Sequence, residues 1–134
     1  MSVKAFEIIK KLQKLAPESL AESWDNVGLL VGSLKKDVSK VLLTLDVTPE
    51  VVEEALNLKV ELIVSHHPLI FKPLKNLQTD NPQGKMLKEL LSNNIAVYSL
   101  HTNLDSTTNG VNDQLAKKLN LKNIEVLSPN SSEK

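Results

Sequence analysis

The sequence predicts one α/β domain: a mostly parallel or mixed sheet with flanking helices. Short runs rich in Val, Ile and Leu alternate with segments of helical periodicity, and Thr-Pro, Asn-Pro and Asn-Gly pairs punctuate them. Strands joined by connections of helix length call for right-handed βαβ crossovers, and so for strands running mainly parallel.

Val3, Phe6, Ile9, Leu12 and Leu15 recur at about helical spacing, Lys4, Lys10, Lys11 and Lys14 fill the wet side, and Pro17 stops this first helix. Residues 27–31 (VGLLV) read as a strand ended by Gly32, and 41–45 (VLLTL) as a second, apolar strand. Thr48-Pro49 opens a helix, with Thr48 as cap and Pro49 in the first turn, running to about Leu58. Residues 60–64 (VELIV) form a third strand. Residues 72–84, with Pro73, Pro82 and Gly84, read as a loop and the expected mobile element. Asn81-Pro82 opens a helix with Leu87, Leu90 and Leu91 inward, and 95–99 (IAVYS) make a fourth strand. Asn109-Gly110 precedes a last helix carrying Val111, Leu115 and Leu119, and 124–127 (IEVL) are read as a fifth strand. The domain spans 1–128; residues 129–134 (PNSSEK) form a polar tail or linker.

Composition narrows the chemistry. A chain of 134 residues, 41% apolar and 24% charged, suits one soluble domain, and 3% aromatics leave Leu, Ile and Val to fill the core. Net charge is zero, which gives no signal for nucleic acid or an acidic membrane. All 16 basic residues are Lys, so a bidentate guanidinium clamp on phosphate is not available. With no Cys, any metal must be held by nitrogen and oxygen. No run approaches the roughly 20 apolar residues that span a bilayer. The first helix, with Glu7 and no Arg, is unlike a targeting sequence, so the cytoplasm is the expected location.

The ionisable residues gather at strand ends. Asp46 follows the second strand, His66 and His67 the third, His101 and Asp105 the fourth. In an open parallel sheet ligands bind beyond the carboxyl ends of the strands, and all three histidines fall there. An isolated His-His pair is more simply a surface histidine beside a core histidine bonded to a carbonyl. His101 and Asp105 on the same rim turn the balance toward a metal. Neighbours on an extended chain point apart. At a strand end the pair can serve two ions, or one ion and an outer partner, and Pro68 holds His67 away from helical geometry. Asp105 is a carboxylate able to bridge two cations. His101 fits an orienting position behind the metal and is the one catalytic candidate. Asp46 is equally an outer partner or a turn residue; Asp25 and Asn26 either line the crevice or make a turn. The lone Trp24 reads as packing.

Five segments, in order, carry a resemblance: ESWDNVGLLVG at 22–32, LTLDVTPEVVEEA at 43–55, LIVSHHPLIFKPLK at 62–75, YSLHTNLD at 98–105 and GVNDQLAKKL at 110–119. Together they resemble the NIF-three family of dinuclear-metal proteins, labelled GTP cyclohydrolase I type 2-like. The resemblance implies an N-terminal lobe of that α/β fold, with His66, His67 and Asp105 as metal ligands. It also implies two divalent ions (zinc, manganese, iron, cobalt or nickel), a ring-like hexamer, and a hydrolase acting on a nucleotide-like small molecule; a non-catalytic regulatory module is the alternative. The family supplies a further His and Glu, four residues apart, from a C-terminal lobe, whereas no His follows residue 119 here. The chain therefore resembles the first half of a family member: a fragment, a shortened chain or the product of a split gene. Two ions need roughly eight to twelve donor positions, and two His with one bridging Asp supply about four. The chain alone is expected to bind one ion modestly, or two only with a second chain.

Overall fold

A computed structural model describes residues 2–128; the polar tail read at 129–134 lies outside them. The chain runs β1 (Val3–Lys4), α1 (Ala5–Leu15), a 3-10 turn at Glu18–Leu20, β2 (Gly28–Val31), β3 (Asp37–Val38), β4 (Val41–Thr44), α2 (Pro49–Asn57), β5 (Leu62–Ser65), α3 (Pro82–Ser92), β6 (Ala96–Ser99), α4 (Thr102–Ser106) and α5 (Val111–Lys118). The main sheet has four strands in the order β2-β6-β5-β4. β4, β5 and β6 are parallel, whereas β2 pairs antiparallel with β6, so the sheet is mixed. β1 and β3 form a separate antiparallel ribbon.

The sheet is covered on both faces, and strand alternation sorts its side chains. On one face Val31, Ile63 and Val97 pack with Val52 and Ala55 of α2 and Leu87 and Leu90 of α3. On the other, Leu62, Val64, Ala96 and Tyr98 meet Ala5 and Ile9 of α1. Burial on both faces is why β5 and β6 read as continuous apolar runs. Caps fix the helix starts: Thr48 Oγ1 accepts from Val51 N–H at 3.3 Å, and Asn81 Oδ1 from Gly84 N–H at 2.8 Å. Gly32, with φ of +87°, turns the chain out of β2 where a Cβ would come within 2.9 Å of the Ala96 Cα.

Several expectations are corrected. Residues 124–127 form no strand; Ile124, Val126 and Leu127 are 56%, 75% and 101% exposed, and they have no sheet partner among the described residues. α1 buries Ala5 and Ile9 and half-buries Ile8 and Leu12, leaving Val3, Phe6 and Leu15 outside. Small Ala5 sits where α1 lies close on the sheet, so the stripe of large residues holds at Ile9 and Leu12 but not at Phe6 and Leu15, and Val3 belongs to β1. The same holds for α5, where Ala116 is buried and Leu115 and Leu119 are exposed, and for Leu91, which faces out while Leu87 and Leu90 face in. The stretch read as a loop over 72–84 is irregular only to residue 81.

Ahead of β5, Glu61 clamps the link between β3 and β4. Its carboxylate accepts from Ser39 N–H at 3.1 Å, Ser39 Oγ at 2.9 Å and Lys40 N–H at 2.8 Å. Burial pushes its pKa up, but the bonds from Lys40 and Ser39 outweigh burial and hold it below the ordinary carboxyl value. Folding lowers this pKa, so the stabilisation is full above the unfolded value and is lost as pH falls through the folded one. Glu61→Gln is therefore expected to lower the denaturant midpoint at neutral pH, with the gap to wild type closing as pH falls below the ordinary carboxyl range; paired unfolding curves from neutral to acid pH check this.

Candidate metal centre

Thr44, Ser65 and Ser99 occupy one rung at the carboxyl ends of the three parallel strands. The Ser65 and Ser99 hydroxyls meet at 2.8 Å, and both residues are buried. Backbone pairing continues one step past the strands: His66 N–H donates to Thr44 O at 3.2 Å, His67 N–H to Leu45 O at 2.9 Å, and Leu100 N–H to Ser65 O at 2.9 Å. The residues that follow the rung therefore emerge side by side.

There the three imidazoles meet. Ring centroids are 5.0 Å apart for His66 and His67, 5.3 Å for His66 and His101, and 5.6 Å for His67 and His101. One nitrogen from each lies within 4.8 Å of the others, close enough for one cation to reach all three. Asp105 Oδ1 stands 3.7 Å from His66 Nε2.

Each ring is held by its Nδ1. His66 Nδ1 donates to Leu100 O at 2.8 Å, His67 Nδ1 pairs with Asp46 Oδ1 at 2.7 Å, and His101 Nδ1 with Asp25 Oδ1 at 2.9 Å. A carbonyl only accepts, so His66 Nδ1 carries a proton, and in the neutral ring the lone pair is on Nε2. Carboxylates impose the same tautomer on His67 and His101. Neutral imidazoles with Nε2 free and Nδ1–H bonded outward are what a divalent cation takes up, and a carboxylate oxygen beside them completes a nitrogen–oxygen donor set. The residues present fit a divalent metal.

The carboxylate behind His101 is fully buried, while the one behind His67 is half exposed. Burial pushes the Asp25 pKa up, but bonds from the Thr102 hydroxyl, His101, and the Thr102 and Asn26 N–H groups hold it below its ordinary value. The helical turn α4 carries the other wall. Asn103, wholly buried, accepts from His101 N–H at 2.9 Å and donates to Ala16 O at 2.9 Å, tying α4 to the end of α1. Asp105 N–H donates to His101 O at 3.1 Å, which folds the carboxylate back over the rim.

The structure thus brings His66, His67, His101 and Asp105 to one place. Asp46 proves a partner of His67, and Asp25, expected either to line the crevice or to make a turn, is buried behind His101. Trp24, read as packing, is 60% exposed and meets Phe71 edge-on, with centroids 6.0 Å apart. Asn103 drew no attention in the sequence, because an amide between Thr102 and Leu104 looks like any loop residue.

Comparisons with known proteins bear on the family and the fold. The family model for DUF34/NIF3 (NGG1p interacting factor 3) matches residues 3–133. The chain belongs to that family. Among its NIF3 relatives, a GTP cyclohydrolase 1 type 2 homolog of Halalkalibacterium halodurans is 44% identical over 126 residues, covering 94% of this chain and 34% of the relative. NIF3-like protein 1 of Drosophila melanogaster is 46% identical over 123 residues, or 91% of this chain and 42% of the relative. The crystal structure of a Bacillus cereus protein related to NIF3 superposes with a TM-score of 0.90 at 48% identity, covering 94% of this chain and 35% of that one. The chain spans about a third of the length of the first of these relatives. No helix among the described residues is long and apolar enough to cross a membrane.

Asn103→Ala removes a buried amide that serves two backbone groups at once. The expected cost is about 1–3 kcal/mol of stability, read as a lower midpoint in denaturant unfolding.

Proposed function

We propose that this chain carries one wall of a dinuclear divalent-metal centre in a metal-dependent hydrolase. The observation that carries the reading is the set of three imidazole nitrogens within 4.8 Å, each ring anchored through Nδ1. His66 and His67 would hold the metal through Nε2, with Asp105 as the bridging carboxylate. When bound, divalent cations in such a site supply Lewis-acid polarisation and make water more acidic. Asp46 and the Leu100 carbonyl keep the two rings aimed, and Asp25 does so for His101.

The hydrolase part rests on the names of the relatives, GTP cyclohydrolase 1 type 2 homologs. A nucleotide-like small molecule is the corresponding substrate. Without Arg in the chain, its phosphates would have to be held by Lys, backbone N–H groups or the metal. The family description, an interacting factor, supports a second reading: a metal-binding module whose role is association with another protein.

Titration calorimetry of the metal-free chain with zinc or manganese is expected to show modest binding near one ion per chain. His66→Ala and His67→Ala should each weaken it by more than the roughly 10–100-fold that loss of an outer partner costs. An isotherm unchanged by both substitutions would overturn the ligand assignment, and two tight sites on a monomer would overturn the donor count. Turnover of GTP or a generic phosphoester by the metal-loaded protein, lost in the same variants, is the outcome expected of the hydrolase; metal binding without turnover favours the interaction module.

A further inference from the structure

We propose that the cavity beyond the histidine pair, with Lys72 and Lys75 on its wall, is the phosphate subsite for the ligand of the metal centre. That ligand is then a phosphorylated small molecule. The inference rests on the metal reading above for what lies next to the cavity, and the subsite itself is tested without metal.

The chain from 66 to 81, between β5 and α3, carries no helix or strand. A stretch of that length without regular structure is uncommon inside a compact domain, where it is usually functional or a linker. This one is no linker, because it is fastened to the body of the domain. Leu69, Ile70 and Leu74 pack against the core that the sheet shares with α2 and α3. Gln83 Nε2 donates to Leu69 O at 3.4 Å, and Asn26 Nδ2 donates to Ile70 O. Phe71, Lys72 and Lys75 stand exposed among these anchors. The two ammonium groups are thus carried by a backbone that is held in place.

Between this loop and the start of α3 lies a cavity of about 390 Å³, whose polar lining is Lys72, Lys75, Asn76, Asn81 and Gln83. None of its lining residues is acidic, in a chain with as many acidic as basic residues. Neither lysine has a hydrogen-bond or ion-pair partner among the described residues. A second cavity, of about 590 Å³, borders Asp105 and has the opposite character: Asp105, Asp113 and Glu125 line it and no lysine does. Phosphate is repelled from the second and drawn to the first. Phe71 links the first cavity to the histidines. It lines the cavity, and its ring meets the His101 ring edge-on with centroids 6.2 Å apart. Trp24 adds a second exposed ring at that border, 6.0 Å from Phe71 and 6.5 Å from His101. Exposed rings beside a cationic cavity suit a ligand that joins a flat base to phosphate.

Titration calorimetry of the full chain with inorganic triphosphate, in the presence of a chelator, tests the subsite apart from the metal. Saturable binding near one equivalent per chain is expected. Lys72→Ala and Lys75→Ala should each weaken it about ten-fold or more. Both side chains are exposed, so neither substitution opens the core. Lys14→Ala removes the same charge from α1, on the opposite face of the sheet, and should leave the affinity unchanged in about 0.1 M salt. Absence of saturable binding overturns the proposal, as does an isotherm indifferent to both cavity lysines or equally sensitive to Lys14→Ala. GTP in the same buffer separates two sources of phosphate. Tighter binding than triphosphate, with quenching of the chain's one Trp, assigns a nucleotide; equal affinity without quenching assigns an inorganic polyphosphate, and either keeps the subsite. His66→Ala should bind triphosphate as the wild type does. A chain that binds triphosphate but no metal loses only the metal reading, and one that binds metal but no triphosphate loses only the subsite.

Discussion

One rung of the sheet organises the rest. The register that aligns Thr44, Ser65 and Ser99 brings three parallel strands to a common end, and the buried bond between the two serine hydroxyls closes it. Strands lie about 4.8 Å apart, so residues leaving neighbouring strands at the same level start within ligand distance of one another. The separations of 5.3 and 5.6 Å between the His101 ring and the rings of His66 and His67 are close to that spacing. Slippage by one residue would turn each strand over and send the apolar faces of Ile63 and Val97 away from α2 and α3. Core packing therefore protects the register, and the register sets the site.

Aiming three imidazoles at one place requires an acceptor for every outward Nδ1–H, and the chain supplies each from a different source. His66 uses a backbone carbonyl, His67 a half-exposed carboxylate, His101 a buried one. The acceptors come from segments following β4, following β6 and preceding β2, so the site is braced by three separate parts of the chain. These bonds involve only the chain's own groups, which is the sense in which the pocket is organised beforehand.

What could be read from the sequence follows from where each signal arises. Strand and helix order came through because β5 and β6 are apolar throughout and because Thr48-Pro49 and Asn81-Pro82 are local start signals. The convergence of His66, His67, His101 and Asp105 was legible because strand ends in a parallel sheet share a rim. The buried helix faces were less legible: Ala5 and Ala116 are buried by close approach, a property of the neighbour rather than of the residue, while Phe6 and Leu115 carry more apolar surface and stand outside. The run at 124–127 has the composition of a strand, but a strand needs an edge to join, and among the described residues none is paired with it. Trp24 was misplaced for a related reason, since size argues for burial only where a cavity of that size exists.

The direction of β2 decides how Asp25 enters the site. A parallel strand would begin at the far end of the sheet, with its preceding loop remote from the histidines. β2 runs antiparallel to β6, with Gly28 opposite Ser99, so the start of β2 lies beside the end of β6. The loop just before β2 thereby reaches the rim that His101 leaves. Asn26 fastens the same loop to the segment beyond the histidine pair through the Ile70 carbonyl, and Glu22 N–H donates to the Thr102 hydroxyl at 2.9 Å. An edge strand that looks like an irregularity in a parallel sheet is what carries a carboxylate to the back of the third imidazole. The mixed sheet and the Asp25–His101 pair are consequences of one topological choice.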